Sequence, residues 1–132
     1  MIQFELVSPE KKLFSAPVAM VTLPGTEGDF SVLEGHSPLV SSLRVGIIDV
    51  YEADMTTLSK RIMVSGGIVE VRPEACTALA EEAVPLDQVK RADIEAEISR
   101  LRDVLSLAQE SEKPALEARM ALAAKKLELL AA

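Results

Sequence analysis

Ile2, Phe4 and Leu6 alternate with Gln3 and Glu5, the two-residue period of a strand with one face in a core. Ser8-Pro9-Glu10 ends that strand in a turn. Residues 12–16 make a second short strand. Residues 18–23, Val-Ala-Met-Val-Thr-Leu, are apolar on both faces, which predicts a strand buried between two layers. Three glycines (Gly25, Gly28, Gly35) and two prolines (Pro24, Pro38) then surround a short apolar piece holding Phe30, Val32 and Leu33. Glycine tolerates positive φ and proline ends a ladder, so this stretch reads as strand, turn, strand, turn. Residues 37–43 read as a connection, and residues 45–51 as a strand in which Gly46 marks a bulge or close approach. Residues 52–54 form a turn, and residues 56–64 a strand ending at Ser65-Gly66-Gly67, a tight strand-to-strand turn. Residues 68–72, a turn at Pro73-Glu74 and residues 75–81 close the set. Eight or more short strands with turn signals roughly every 8 to 12 residues predict an all-β sandwich, two sheets face to face, over residues 1–84.

At Val84-Pro85 the period changes. Ile94, Ile98, Leu101, Leu105 and Ala108 recur at intervals of four and three, with Asp93, Glu95, Glu97, Arg100, Arg102 and Asp103 on the other faces. That is an amphipathic helix, for which Asp87 is the candidate N-cap. Pro114 sits where a second helix restarts, and Leu116, Met120, Ala123, Leu127 and Leu130 repeat the spacing. Residues 85–132 therefore read as a two-helix C-terminal domain, an antiparallel α-helical hairpin. Leu122 and Leu129 lie off the seam, so the second helix has two apolar faces and one strip of Arg119, Lys125 and Lys126. Hinged at Val84-Pro85, such a hairpin suits a switch between two partners.

Charge narrows the partners. Six basic residues face twelve acidic ones up to Val84, and eight face nine beyond it, for a net charge of -7. An acidic chain without clustered Lys and Arg argues against nucleic acid, and the basic C-terminal strip is the place to meet an acidic surface. With 48% hydrophobic but only 3% aromatic residues among 132, the core is built from aliphatic side chains. No apolar run approaches the roughly 20 residues of a membrane span, and the N-terminus lacks a signal-peptide layout. A soluble protein made in the cytoplasm is expected.

Chemistry is thin: one His, one Cys, one Tyr and no Trp. Neither His36 nor Cys76 has the surrounding spacing of a nucleophilic dyad, so a turn-bound His and a buried Cys are expected. A single His with scattered carboxylates makes no metal site. Glu27 and Asp29 around Gly28 resemble only a fragment of a calcium loop, and Gly66-Gly67 lacks the Lys and helix of a P-loop. No catalytic residue is expected.

The string Glu27-Gly28-Asp29-Phe30-Ser31-Val32-Leu33-Glu34-Gly35-His36-Ser37-Pro38-Leu39 closely resembles the pattern in the epsilon subunit of bacterial F-type ATP synthases. Ser31 stands where that family usually has Gly, and Glu34 where it usually has Pro. Val64-Ser65-Gly66-Gly67-Ile68-Val69-Glu70-Val71 resembles the family's second signature, and Leu79-Ala80-Glu81-Glu82-Ala83 the strand that closes its sheet domain. The likeness runs in order along nearly the whole chain.

The resemblance implies a non-catalytic rotor subunit of the central stalk, coupling the gamma subunit to the c ring, peripheral on the cytoplasmic face of the bacterial inner membrane. Glu27, Gly28, Asp29, Glu34, Gly35 and His36 would face the c ring. The hairpin would regulate or inhibit ATP hydrolysis, with Arg119, Lys125 and Lys126 contacting a beta subunit. The family's regulatory ATP motif would place Asp87, Lys90 and Arg91 at a nucleotide, but Arg91-Ala92 arrives one residue late, turning the guanidinium by about 100° on a helix. A plain cap role for Asp87 stands beside the ATP reading. A free-standing adaptor that uses the same hairpin is the alternative from another class.

Overall fold

The computed structural model describes residues 1–131, which divide into two compact units, Met1–Gln88 and the chain from Val89 onward. The first holds eight strands: β1 (Ile2–Val7), β2 (Lys12–Val18), β3 (Met20–Gly25), β4 (Gly28–Val32), β5 (Leu39–Tyr51), β6 (Lys60–Val71), β7 (Ala75–Ala80) and β8 (Ala83–Pro85). They form one connected sheet in the order β2-β1-β7-β6-β5-β3-β4, with β8 on β6. Among the described residues only β1 and β7 pair in parallel.

The sheet becomes a sandwich because β5 and β6 are long and pass from one layer to the other. Residues 39–43 of β5 pair with residues 67–71 of β6, which pair with β7; residues 45–50 of β5 pair with residues 60–65 of β6, which pair with β8. Ile2, Phe4 and Leu6 from one layer and Val21, Leu23, Ile48 and Val50 from the other belong to one buried cluster. At about 1.5–3 kcal/mol for each fully buried large apolar side chain, this cluster outweighs every ion pair on the surface.

Three features differ from the sequence pattern. Gly66 and Gly67 do not end a strand: they lie inside β6 with φ of 98° and 136°, and they turn it from one layer to the next. Residues 39–43 are strand, not connection; Leu39, opposite Val71, and outward Val40, opposite Glu70, are both exposed, so no alternation marks them. Residues 18–23 are not doubly buried: β2 ends at Val18, and in β3 only Val21 and Leu23 face the core while Met20 and Thr22 are half-buried.

Val84 and Pro85, where the period changes, are themselves strand residues opposite Met63 and Ile62, and a 3-10 turn (Leu86–Gln88) follows before the first unit ends. The loop between β5 and β6 is anchored by Asp54, whose carboxylate accepts from the backbone amides of Thr56 and Thr57 and from both hydroxyls. Those donors, the Thr56 amide foremost, lower its pKa from 3.8 to about 2. A lowered carboxyl contributes stability that is fully present above its ordinary pKa of 3.8 and is lost as pH falls from there through about 2.

The second unit holds α1 (Arg91–Leu107) and α2 (Lys113–Ala131). Ile94, Leu101 and Ala123 are buried, and the other expected seam residues, Ile98, Leu105, Ala108, Leu116, Met120, Leu127 and Leu130, are all half-buried. Arg119 on α2 reaches Glu97 on α1 at 4.0 Å, bridging the helices of the hairpin. Pro114 falls in the first turn of α2, where its missing N–H costs no hydrogen bond.

The bend of β6 is the point of least tolerance. A Cβ at Gly67 would stand 2.1 Å from the Leu79 carbonyl oxygen, in a backbone region that L residues avoid. Gly67→Ala is expected to cost at least ~2 kcal/mol of unfolding free energy, read as a lower urea midpoint at unchanged slope.

Candidate functional site

β4 is the edge strand of its layer, paired only with β3, and the residues singled out from the sequence flank it at both ends. On one side the β3–β4 hairpin turns through Thr26 and Glu27, closed by the Gly25 and Gly28 pair. Gly28 has φ of 135°, and Glu27, Gly28 and Asp29 are exposed. On the other side Gly35 takes φ of 84°, the His36 amide donates to Leu33 at 3.1 Å, and the Gly35 amide donates to Pro73 at 2.7 Å. Glu34 lies 3.5 Å from the N-terminal ammonium. His36 is half-buried, and its Nδ1–H donates to the Ser37 carbonyl at 2.7 Å. The two turns and the strand between them form one exposed margin.

The hairpin tip is tied to β5. The Thr26 amide donates to the Ser42 carbonyl at 3.0 Å, and Arg44 donates to the Gly25 carbonyl and to the Asp29 carboxylate. Nothing in the spacing of Arg44 announces this; the contact exists because β5 runs beside the hairpin.

A second surface escapes the sequence reading although its signal is present. On the outer face of β5, β6 and β7, the register sets Ser42, Ile68, Leu79 and Val7 in one row, and Val40, Glu70, Thr77 and Glu5 in the next. Val40, Ile68 and Leu79 are 68%, 51% and 54% exposed. Large apolar groups at the outward positions of alternating strands, next to buried Val69, Ala78 and Ala80, are the pattern of a face that meets another protein. Its margin is acidic, with Glu5, Glu70 and Glu81.

The remaining candidates are dispersed. Asp87 belongs to the 3-10 turn and does not cap α1; the cap position is Lys90, which makes no side-chain cap bond, and its carbonyl receives the amides of Asp93 and Ile94. The 3-10 turn packs on β6 and so ends the chain's first unit before the helix begins. Asp87 lines a shallow depression of about 440 Å³ with Ser59, Lys60, Arg61 and Leu86. On α2, Lys125 lies 3.6 Å from Glu128, and Lys126 is half-buried and engaged. The second helix is less greasy outward than its sequence suggests: Leu122 and Leu129 are half-buried, and the boldest exposed apolar side chain is Leu107 of α1, at 89%.

Cys76 is fully buried, and burial pushes its thiol up to about 12. It stays protonated at neutral pH and is no nucleophile. Among the described residues no three His, Cys, Asp or Glu side chains converge as metal ligands would.

Comparison with known proteins agrees with this geometry. Residues 1–86 match the family described as the beta-sandwich domain of the ATP synthase delta/epsilon chain. The chain is 49% identical over 134 aligned positions to the ATP synthase epsilon chain of Rhodospirillum centenum, covering 98% of this chain and 92% of that one. It is 44% identical to the ATP synthase epsilon chain of Rhodospirillum rubrum, covering 83% and 84%. Among solved structures it is similar to a chain of the Euglena gracilis mitochondrial ATP synthase OSCP/F1/c-ring assembly, with a TM-score of 0.75 at 26% identity over 98% of this chain and 78% of that one. A chain of the Tetrahymena thermophila central stalk/c-ring structure shares the fold, with a TM-score of 0.63 at 16% identity over 96% of each chain.

Asp87 belongs to the first unit, and Lys90 and Arg91 to the second. Arg91 pairs with Glu95 on its own helix at 2.9 Å, and its one-residue delay against the family motif turns the guanidinium by about 100°. Calorimetric titration with millimolar ATP is expected to give no saturable heat, for the wild-type chain and for Asp87→Ala alike. Saturable binding that Asp87→Ala removes would overturn this.

Proposed function

The chain belongs to the delta/epsilon chain family of ATP synthases, and from that premise we propose that it is a non-catalytic central-stalk subunit of a proton-translocating F-type enzyme, coupling the gamma subunit to the c ring. The observation that carries the reading is the exposed apolar patch of Val40, Ile68 and Leu79, spread over two adjacent rows, on an otherwise acidic body. A free-standing domain would hide such a patch; a subunit buries it. Gamma is assigned to this face, and the margin formed by Glu27, Gly28, Asp29, Glu34, Gly35 and His36 is assigned to the c ring. Among the described residues no helix is long and apolar enough to cross a membrane. The subunit is peripheral, and its place is the cytoplasmic face of the bacterial inner membrane.

The hairpin is assigned the regulation of ATP hydrolysis. Arg119 and Lys125 are held by Glu97 and Glu128 across distances of 4.0 and 3.6 Å, with side chains roughly half exposed. Exposed pairs of this kind contribute about 0–1 kcal/mol each, so an acidic segment of a beta subunit exchanges for them at little cost. Burial along the apolar seam stabilises the closed hairpin more strongly than these pairs do, and it decides whether the hairpin stays closed.

Two measurements test this. Replacing Ile68 and Leu79 together by Thr, which keeps strand propensity, should weaken co-purification with gamma by about tenfold or more, while the thermal midpoint of the free subunit moves little, because both side chains are already about half exposed. Retained co-purification would refute the assigned face. Ending the chain after Gln88 should leave a subunit that still assembles, and should raise ATP hydrolysis by the complex; an unchanged rate would remove the inhibitory role.

A further inference from the structure

Resting on the reading of the β3–β4 turn as part of the c-ring contact, we propose that Arg44 is the positioning residue of that turn: its guanidinium fixes the hairpin to the bend of β5 and so sets where Glu27 and Asp29 stand.

The need for such a residue follows from Pro24. Proline has no N–H, and the β3 to β5 ladder shifts register between Thr22, opposite Asp49, and Gly25, opposite Leu43. Three steps along β3 face six along β5, so β5 bows away from its neighbour there. Gly46 lies within the bow, where a Cβ would come 2.5 Å from the Pro24 ring. Beyond the bow the hairpin tip has left the regular ladder. It is held by the Gly25 and Leu43 pair, by the Thr26 amide on Ser42, and by Arg44.

Arg44 stands on the bowed stretch and is half-buried. One terminal nitrogen donates to the Gly25 carbonyl at the end of β3, and the other to the Asp29 carboxylate at the start of β4. A planar fork reaches two acceptors on two strands at once; an ammonium on a flexible stem does not hold that geometry. The turn is thereby fixed from both of its sides. The same contact fixes the position of Asp29, which stays exposed beside Glu27, so the geometry of both carboxylates depends on Arg44.

The test uses the complete enzyme reconstituted in vesicles and reads ATP-driven proton uptake per ATP hydrolysed. For Arg44→Met this ratio should fall several-fold, with Arg44→Lys between it and the wild type. The paired reversal Asp29→Arg with Arg44→Asp should recover part of the loss, which a residue needed only for folding would not do. Circular dichroism of each free subunit reports whether the sandwich is intact. If Arg44→Met fails to fold, Asp29→Asn, a surface change, must lower the ratio instead. A wild-type ratio in the folded Arg44→Met enzyme, or in Asp29→Asn where that variant is the one measured, overturns the Arg44 role alone. Failure of the wild-type chain to be retained with gamma and the c ring overturns the stalk reading and this proposal with it.

Discussion

Everything in the first unit depends on two strands being allowed to bend without breaking. β5 and β6 run for 13 and 12 residues, long enough to serve both layers, and they pair with each other on either side of the bend. Leu43 meets Gly67 and Val45 meets Ser65, so hydrogen bonding resumes within two residues of the turn. Gly66 and Gly67 supply positive φ at that point, and the space beside Gly67 is filled by the Leu79 backbone. The sandwich is thus one sheet folded on itself, and its two inner faces close on a single, mainly aliphatic cluster around Phe4. Two separate sheets could slide on such a core. A sheet continuous through its corner resists that slide through the backbone ladder, whose bonds are worth about 0.5–1.5 kcal/mol each net.

The surface divides by the strength of what it offers. Ion pairs are many, but most are half exposed, and such pairs choose orientation more than they supply affinity. The apolar patch on β5, β6 and β7 is smaller and stronger, since burying side chains the size of Ile68 and Leu79 contributes about 1.5–3 kcal/mol apiece. A body with both has a division of labour available to it. The apolar face suits a lasting partner, and the charged margin along β4 suits one that must be engaged and released.

Much of this is legible in the sequence, and the failures have physical causes. Alternation at Ile2, Phe4 and Leu6, and the four-three spacing from Ile94 and from Leu116, report burial correctly because each element has one dry side. The epsilon-like glycine motifs identify the family. What is lost lies at the bends. Gly66-Gly67 is as good a signal for a corner inside a strand as for a turn between strands, since both need positive φ. Leu39 and Val40 hide a strand because both are apolar and exposed on opposite faces, and at Val40 the outer face carries an apolar group where alternation expects a polar one. Asp87 reads as a helix start because its type suits a cap, yet the 3-10 turn on β6 delays the helix to Arg91. The Arg44 contacts join residues 15 and 19 positions apart, across a register shift that no local pattern encodes.

The bends also connect the two surfaces. From the β4 margin, the ladder runs through β3 to the second half of β5, around the corner, and out through β6 and β7 to the face that carries Ile68 and Leu79. No step in that route depends on a flexible loop, but one is weak: the β3 to β5 pairing, where Pro24 removes a donor and the register slips. In the proposed role, force entering at one surface must leave at the other without loss at this joint. A proline there is tolerable because the connection is restored beyond it, by the Gly25 and Leu43 pair, by the Thr26 amide on Ser42, and by the fork of Arg44, which reaches from the corner strand to both sides of the hairpin.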